Sequence, residues 1–265
     1  MKERLKRTLK ARGIYDALKY SKLFHLYTFF FKRNVLRQHK KEVALYKAFL
    51  GPCDLIFDIG AYDGHKTAAF LELSKTVVSC EPDPANFKLL KTRFRNRKKR
   101  VKLQEVALSD HVEEKTFFVH QRGSAFNTLN PGWKEILEKD DLTRWNEKIS
   151  FLPENNIRVR TTTLDLLIGQ YGAPDFIKID VEGYEQEVFG GLSQKVPCVS
   201  FECLLPEFKE GIRSILERLI SFDPATRFNV IHDELLLFPV FVDYEGILRW
   251  LDKEEHFSFD LVAKS

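Results

Sequence analysis

An apolar run that stops at Asp58-Ile59-Gly60-Ala61-Tyr62-Asp63-Gly64 constrains this chain more than any other stretch. The run Ile56 to Ile59 reads as a strand, and a segment suited to a helix, Thr67 to Leu73, follows the second glycine. The pattern predicts strand, tight glycine turn and helix, the glycines allowing left-handed backbone and close approach of a ligand. Twenty-one residues after Gly60, a second apolar run, Thr76 to Cys80, ends in Glu81-Pro82-Asp83. An acid at the tip of a second parallel strand is placed to accept two hydrogen bonds from a ribose diol. Turn and acid at this distance predict a nucleoside cofactor.

A nicotinamide site ordinarily has a second glycine two places after the first, so that a pyrophosphate can touch the backbone. Tyr62 occupies that place here, and the next glycine, Gly64, stands four residues after Gly60. S-adenosylmethionine carries no phosphate; its amino-acid end is an ammonium and a carboxylate. Asp58 is the expected partner of the ammonium and the turn amides of the carboxylate. The turn joined to Glu81 therefore favours S-adenosylmethionine over NAD.

With these residues in place the chain resembles the FkbM-type S-adenosylmethionine-dependent methyltransferases. The matching segments are Phe57 to Ala61, Cys80 to Pro84, Val106 to Asp110, Thr163-Leu164-Asp165, and above all Phe176-Ile177-Lys178-Ile179-Asp180-Val181-Glu182-Gly183-Tyr184-Glu185. The resemblance covers roughly residues 50 to 205, with a weaker echo towards the C-terminus. It departs at the turn, where the family commonly has Asn and this chain has Tyr62-Asp63. It implies an α/β, Rossmann-like class I methyltransferase fold: a seven-stranded, mostly parallel sheet with helices on both faces. It also implies O-methylation of a hydroxyl on a sugar, glycan precursor or related natural product.

At 265 residues and 44% hydrophobic, the chain can bury one α/β core with accessory structure. The four cysteines, Cys53, Cys80, Cys198 and Cys203, have no metal-ligand spacing and sit in or beside apolar runs, which suits reduced core thiols in a cytoplasmic protein. No secretory leader is expected, and the longest apolar stretch, Leu23 to Phe31, falls far short of the ~20 residues a bilayer span requires. Residues 1–50 hold 14 Lys+Arg against 3 Asp+Glu, a balance of +11; the whole chain is +4, so residues 51–265 carry −7. In this basic segment Leu5, Leu9, Ile14, Leu18, Leu23, Leu26 and Phe30 recur at helical spacing. A helical cap over the domain is the plainest reading. A peripheral contact with the inner face of an anionic membrane or with a protein partner is the second, and a nucleic-acid surface the third.

From Gly51 onward apolar strands alternate with helices, as a parallel sheet requires. Strands are expected near Asp54–Ile59, Thr76–Cys80, Lys102–Val106, Phe176–Asp180, Cys198–Glu202, Arg227–His232 and Phe257–Ala263, the last antiparallel by the family resemblance. The run Arg93 to Arg100 reads as a solvated helix end. Between Phe117 and Val159 the rhythm breaks, and this insertion, with Trp133 and Trp145, is expected to form a substrate loop or lid.

Ligands of open parallel sheets lie beyond the carboxyl ends of the strands. Four expected strand tips carry acids: Asp58, Glu81, Asp180 and Glu202. The donor site is accordingly expected to comprise Asp58, Gly60, Ala61, Tyr62, Gly64, Glu81, Pro82, Ser109, Asp110 and Asp180, with Asp110 near the adenine. Asp180, Glu182 and Glu202 are the candidate reactive acids. Carboxylates suit a hydroxyl, which must lose its proton as its oxygen attacks the methyl carbon. The Asp180-Val181-Glu182-Gly183 sequence, lacking an Asn/Asp-Pro-Pro-aromatic amine clamp, speaks against base methylation. Proton removal by Asp180, Glu182, His65 or His232 competes with a Mg²⁺ ion held by Asp180 and Glu202. Glu182 and Glu185 also suit a helix N-terminus, and each histidine reads first as a surface residue. Two other functions stay open: an NAD(P)-dependent Rossmann enzyme, disfavoured by the missing G-x-G, and a non-catalytic binding module docking through residues 1–50.

Overall fold

The computed structural model describes residues 33–139 and 148–265. Residues 1–32, which hold most of the basic segment and the leucines for which a helix was expected, and 140–147, with Trp145, lie outside the described residues. The elements that frame the site begin with α1 (Arg33–Phe49), β1 (Cys53–Ile59), α2 (His65–Leu73), β2 (Ser74–Cys80), α3 (Pro84–Arg93) and β3 (Val101–Gln104). A small sheet and the insertion follow: β4 (Ala107–Leu108), β5 (Glu114–Phe117), α4 (Pro131–Lys139) and β6 (Ile157–Thr162). The chain then returns through α5 (Leu164–Tyr171), β7 (Phe176–Ile179), α6 (Glu185–Gly190), β8 (Cys198–Leu204) and α7 (Lys209–Phe222). It closes with β9 (Arg227–His232), β10 (Leu235–Leu236), α8 (Tyr244–Lys253) and β11 (Ser258–Lys264).

The main sheet runs β10-β9-β11-β8-β7-β1-β2-β3. β1 pairs in parallel with β2 on one side and β7 on the other, so the winding reverses there and opens a crevice above their carboxyl ends. β11 is antiparallel to both β8 and β9, as the family resemblance led us to expect. The seven expected strands are present, with an eighth added: Leu235–Leu236 turns back on β9 as a short antiparallel edge, too brief to show a period of its own. The third strand ends at Gln104 instead of Val106.

Continuous apolar strands imply a sheet covered on both faces. Leu55, Phe57 and Ile59 of β1 enter one core with α5 to α8, while Ile56 enters the other with α1 to α3. α1 packs on α2, its Tyr46 ring 4.8 Å from Phe70. Local signals set helix starts: Asp83 caps α3 by accepting from the Ala85 amide, with Pro84 at the first turn, and Thr163 caps α5 through Leu166. The Arg93 to Arg100 run is not wholly a solvated end. Arg100 donates to the carbonyls of Leu71, Ser74 and Lys75, and Arg93 to that of Asp63, so these two arginines tie the α2 region to α3 and β3.

The insertion builds its own core from Trp133, Leu137, Ile149 and Phe151, packed on Leu204 at the end of β8. Asn130 accepts from the Gly132 and Trp133 amides to start α4, and Trp133, 0% exposed, stacks on Phe257 and meets Phe208 edge-on. Trp133→Ala is therefore expected to cost about 3–5 kcal/mol, the range for emptying a large aromatic site. Urea unfolding of the variant against the parent checks this.

Candidate active site

The crevice where β2, β1 and β7 end is a cleft of about 260 Å³. One side is the turn after β1, in which Gly60 (φ 79), Tyr62 (φ 50) and Gly64 (φ 77) are all left-handed. Gly60 needs that freedom and needs to lack a side chain, because a Cβ there would stand 1.7 Å from the Asp180 carbonyl oxygen. Gly60, Ala61 and Tyr62 line the cleft; Gly64 lies against Leu90 and Phe94 and does not.

The turn amides are not the carboxylate cradle that the sequence suggested. Gly60 and Ala61 both donate to the Cys80 carbonyl, Gly64 to the Ala61 carbonyl, and Tyr62 to Glu81 Oε2. The cation on that wall is Lys66, in the first turn of α2. Asp58 also differs from expectation. It is 1% exposed beneath the turn, takes a short hydrogen bond from the Thr67 hydroxyl, and does not line the cleft. Its carboxylate joins β1 to α2 instead of facing a ligand.

Glu81 stands at the tip of β2, 5% exposed. Its two oxygens accept from the Tyr62 and Asp83 amides, both at 2.8 Å, and the residue lines the cleft. Burial pushes its carboxyl up to about 8. Pro82, Val106, Ala107 and Leu108 continue the wall as an apolar surface. Ser109 and Asp110 stop short of it. The Ser109 hydroxyl donates to Asp110 Oδ1 at 3.0 Å, Asp110 pairs with His111 at 2.9 Å, and neither residue lines the cleft.

The opposite side is the segment after β7. Lys178, 0% exposed, places its ammonium 3.4 Å from Asp180 and 3.2 Å from Asp260, and Lys66 approaches Asp180 at 3.6 Å. Burial alone would raise Asp180; the two ammoniums outweigh it and hold the carboxyl below the usual range. Glu182 behaves oppositely, pushed well up by desolvation and then by Glu202 and Asp180. Glu202 is raised by desolvation and by Asp180, and its buried Oε2 has no partner among the described residues. Glu182 (φ 58) and Gly183 (φ 81) form a left-handed corner. The insertion grips that corner, Thr128 Oγ1 donating to the Glu182 carbonyl at 2.7 Å and Asn130 to that of Gly183.

Asp180 and Glu182 line the cleft, and Glu202 stands behind them. The three offer carboxylate oxygens that all lie within 4.8 Å of one another, an all-oxygen donor set of the hard kind that Mg²⁺ takes. His65 stands at the cleft, paired with Asp63 at 3.1 Å, whereas His232 packs on His256 and does not line it. Ser124, Ala125, Asn127 and Leu129 show that the insertion does wall the cleft, and Asp83 anchors it there by accepting from Gly123 and Asn127. Sequence reasoning missed Lys66, Asn86 and Tyr184. Lys66 was detectable as a first-turn residue on the helix that opens at the glycine turn.

A model of the methyltransferase FkbM domain matches residues 58–255. The chain belongs to the FkbM methyltransferase family. The match carries the family beyond residue 205, through β9 and α8. The crystal structure of methyltransferase FkbM from Methylobacillus flagellatus KT superposes with a TM-score of 0.50 at 14% identity, over 81% of this chain and 44% of that one. This FkbM protein thus spans less than half the length of that relative. An O-methyltransferase from Bacillus cereus in complex with SAH matches at TM-score 0.40 and 15% identity, over 86% of this chain and 81% of its own. No curated protein matches the sequence significantly.

Burial pushes the Glu81 carboxyl up to about 8 and so favours its protonated form toward acidic pH, whereas a diol needs the carboxylate. Affinity for S-adenosylhomocysteine is expected to rise by up to about tenfold per pH unit below 8 and to level off above it. Calorimetric titrations between pH 6.5 and 9 check this, and Glu81→Gln is expected to flatten the dependence.

Proposed function

We propose that this FkbM protein transfers the methyl group of S-adenosylmethionine to a hydroxyl of a sugar, glycan precursor or related natural product. One observation carries the reading: Glu81, suited to a ribose diol, and Asp180 with Glu182, suited to a hydroxyl, face a single cleft. The nucleoside end lies along Glu81, Pro82 and the apolar Val106–Leu108 wall. The amino-acid end meets opposite charges, its carboxylate at Lys66 and its ammonium at Asp180.

The acceptor oxygen attacks the methyl carbon in line with sulfur. The carbon–sulfur bond breaks, the sulfonium becomes a neutral thioether, and the hydroxyl proton passes to a carboxylate. Glu182 suits that role, since its raised affinity for a proton makes its ionised form the stronger base. Asp180, kept ionised by Lys178 and Lys66, stays as fixed negative charge beside the donor. Glu202 confines Glu182 and raises its basicity further. Neighbouring carboxylates also suit a polyol, whose vicinal hydroxyls donate to them.

A second reading rests on the same three oxygens. Asp180, Glu182 and Glu202 would hold a Mg²⁺ ion, which supplies a lowered hydroxyl pKa and a fixed orientation when bound. The four cysteines are buried free thiols, and we place the protein in the cytoplasm on that chemistry. No described helix is long and apolar enough to cross a membrane.

The test is transfer of labelled methyl from S-adenosylmethionine to a panel of hydroxylated sugars and glycosides, with and without EDTA. Glu182→Gln is expected to lower kcat by about 10²–10⁴-fold while leaving donor affinity within a few-fold, the usual scale for a lost general base. Activity that EDTA abolishes and Mg²⁺ restores assigns the step to the metal. A protein that binds the donor yet methylates no hydroxyl is the non-catalytic binding module.

A further inference from the structure

Lys178 is fully buried beside the reactive acids, and one of the groups that fix its ammonium lies outside the cleft. In β7, Ile177 and Ile179 enter the core with α5 to α8, so Lys178 between them projects to the face that α1 to α3 cover. Its ammonium has three acceptors for its three donors: the Ile179 carbonyl at 3.1 Å, Asp260 Oδ1 at 3.2 Å and Asp180 Oδ2 at 3.4 Å. A lysine stem is flexible, so the ammonium rests where its acceptors hold it. Asp260 belongs to β11, two strands from β7 in the sheet with β8 between them. It stands opposite Glu202 in the β8–β11 register and does not line the cleft.

Asp180 has two ammoniums beside it, Lys178 and, at 3.6 Å, Lys66, while its side chain lines the cleft. An ammonium divided between two acids compensates each of them only in part. Without Asp260, Lys178 would be free to move wholly onto Asp180, and two acids facing two ammoniums would become one acid facing two. A further ammonium arriving in the cleft would then meet net positive charge. Resting on the reading of the cleft as the S-adenosylmethionine site, we propose that Asp260 is a positioning residue for the donor: it holds Lys178 between two acids, so that Asp180 can take the ammonium of the donor's amino-acid end. Asp260 acts through Lys178 and touches no ligand atom. Its effect is therefore confined to the amino group, since the donor carboxylate has its own cation in Lys66 and the nucleoside lies along the Glu81 side.

The measurement compares S-adenosylhomocysteine with the analogue in which hydrogen replaces the amino group. Both affinities are determined by calorimetry for the parent and for Asp260→Asn, which keeps the shape and removes the charge. The parent is expected to prefer S-adenosylhomocysteine. The ratio of the two affinities is expected to fall about tenfold in Asp260→Asn, the scale of one unit charge acting over about 10 Å at an effective dielectric of about 20. A purely structural role for Asp260 would weaken both ligands alike. An unchanged ratio therefore overturns the proposal, as does a parent that binds the two ligands equally. Should Asp260→Asn fail to fold, a crystal structure of the parent with S-adenosylhomocysteine decides. The ligand amino group on Asp180, with Lys178 between Asp180 and Asp260, supports the proposal, and an amino group held by any other residue overturns it. A parent that binds no S-adenosylhomocysteine would instead overturn the cofactor reading itself.

Discussion

The close approach of Gly60 to the Asp180 carbonyl is the constraint on which the site depends. With the Cβ position of residue 60 only 1.7 Å from that oxygen, any side chain would force the ends of β1 and β7 apart. Their parallel pairing carries the two strands up to Ile59 and Ile179 in register, so the glycine turn and the segment beginning at Asp180 leave the sheet side by side. The glycine turn and the acids Asp180 and Glu182 thereby share one cleft, although some 120 residues separate them in the chain. The Cys80 carbonyl, which takes the Gly60 and Ala61 amides, brings the tip of β2 and its Glu81 to the same place.

Lys178 solves the electrostatic problem that this convergence creates. A buried ammonium survives only among acids, and it has Asp180 and Asp260 on either side. The result divides the carboxyl groups into two kinds. Asp180 is held ionised, while Glu182 and Glu202, farther from compensating charge and close to each other, retain protons more strongly. Neighbouring titratable groups pushed in opposite directions are the arrangement from which acid–base roles are built. The insertion contributes by a different route, gripping the left-handed Glu182–Gly183 corner from Thr128 and Asn130 and so fixing the direction in which Glu182 points.

What the sequence revealed was what local chemistry dictates. The strand, the glycine turn and an acid after the second strand rest on short-range geometry, and Glu81 stands where that geometry requires. The mostly parallel sheet and the antiparallel β11 followed from the family resemblance, and the break in βα rhythm marked the insertion that does wall the cleft. The misplacements concern side chains that had a choice of partner. Asp58 turns to Thr67, the turn amides to Cys80, and Asp110 to His111, and no spacing rule distinguishes a strand-end acid facing a ligand from one facing its own helix. Lys178 reads in sequence as an interruption of an apolar strand; only the sheet order, with β8 lying between β7 and β11, brings Asp260 within its reach.

The central claim is that the cleft beside Glu81 receives S-adenosylmethionine. Calorimetric titration with S-adenosylhomocysteine, with NADH and NADPH as controls and Glu81→Ala as the test variant, addresses it most directly. The account predicts micromolar binding of S-adenosylhomocysteine by the parent, loss of that binding in Glu81→Ala, and no measurable binding of either nicotinamide. Binding of a nicotinamide in preference to S-adenosylhomocysteine, or equal affinity of parent and variant, would contradict it.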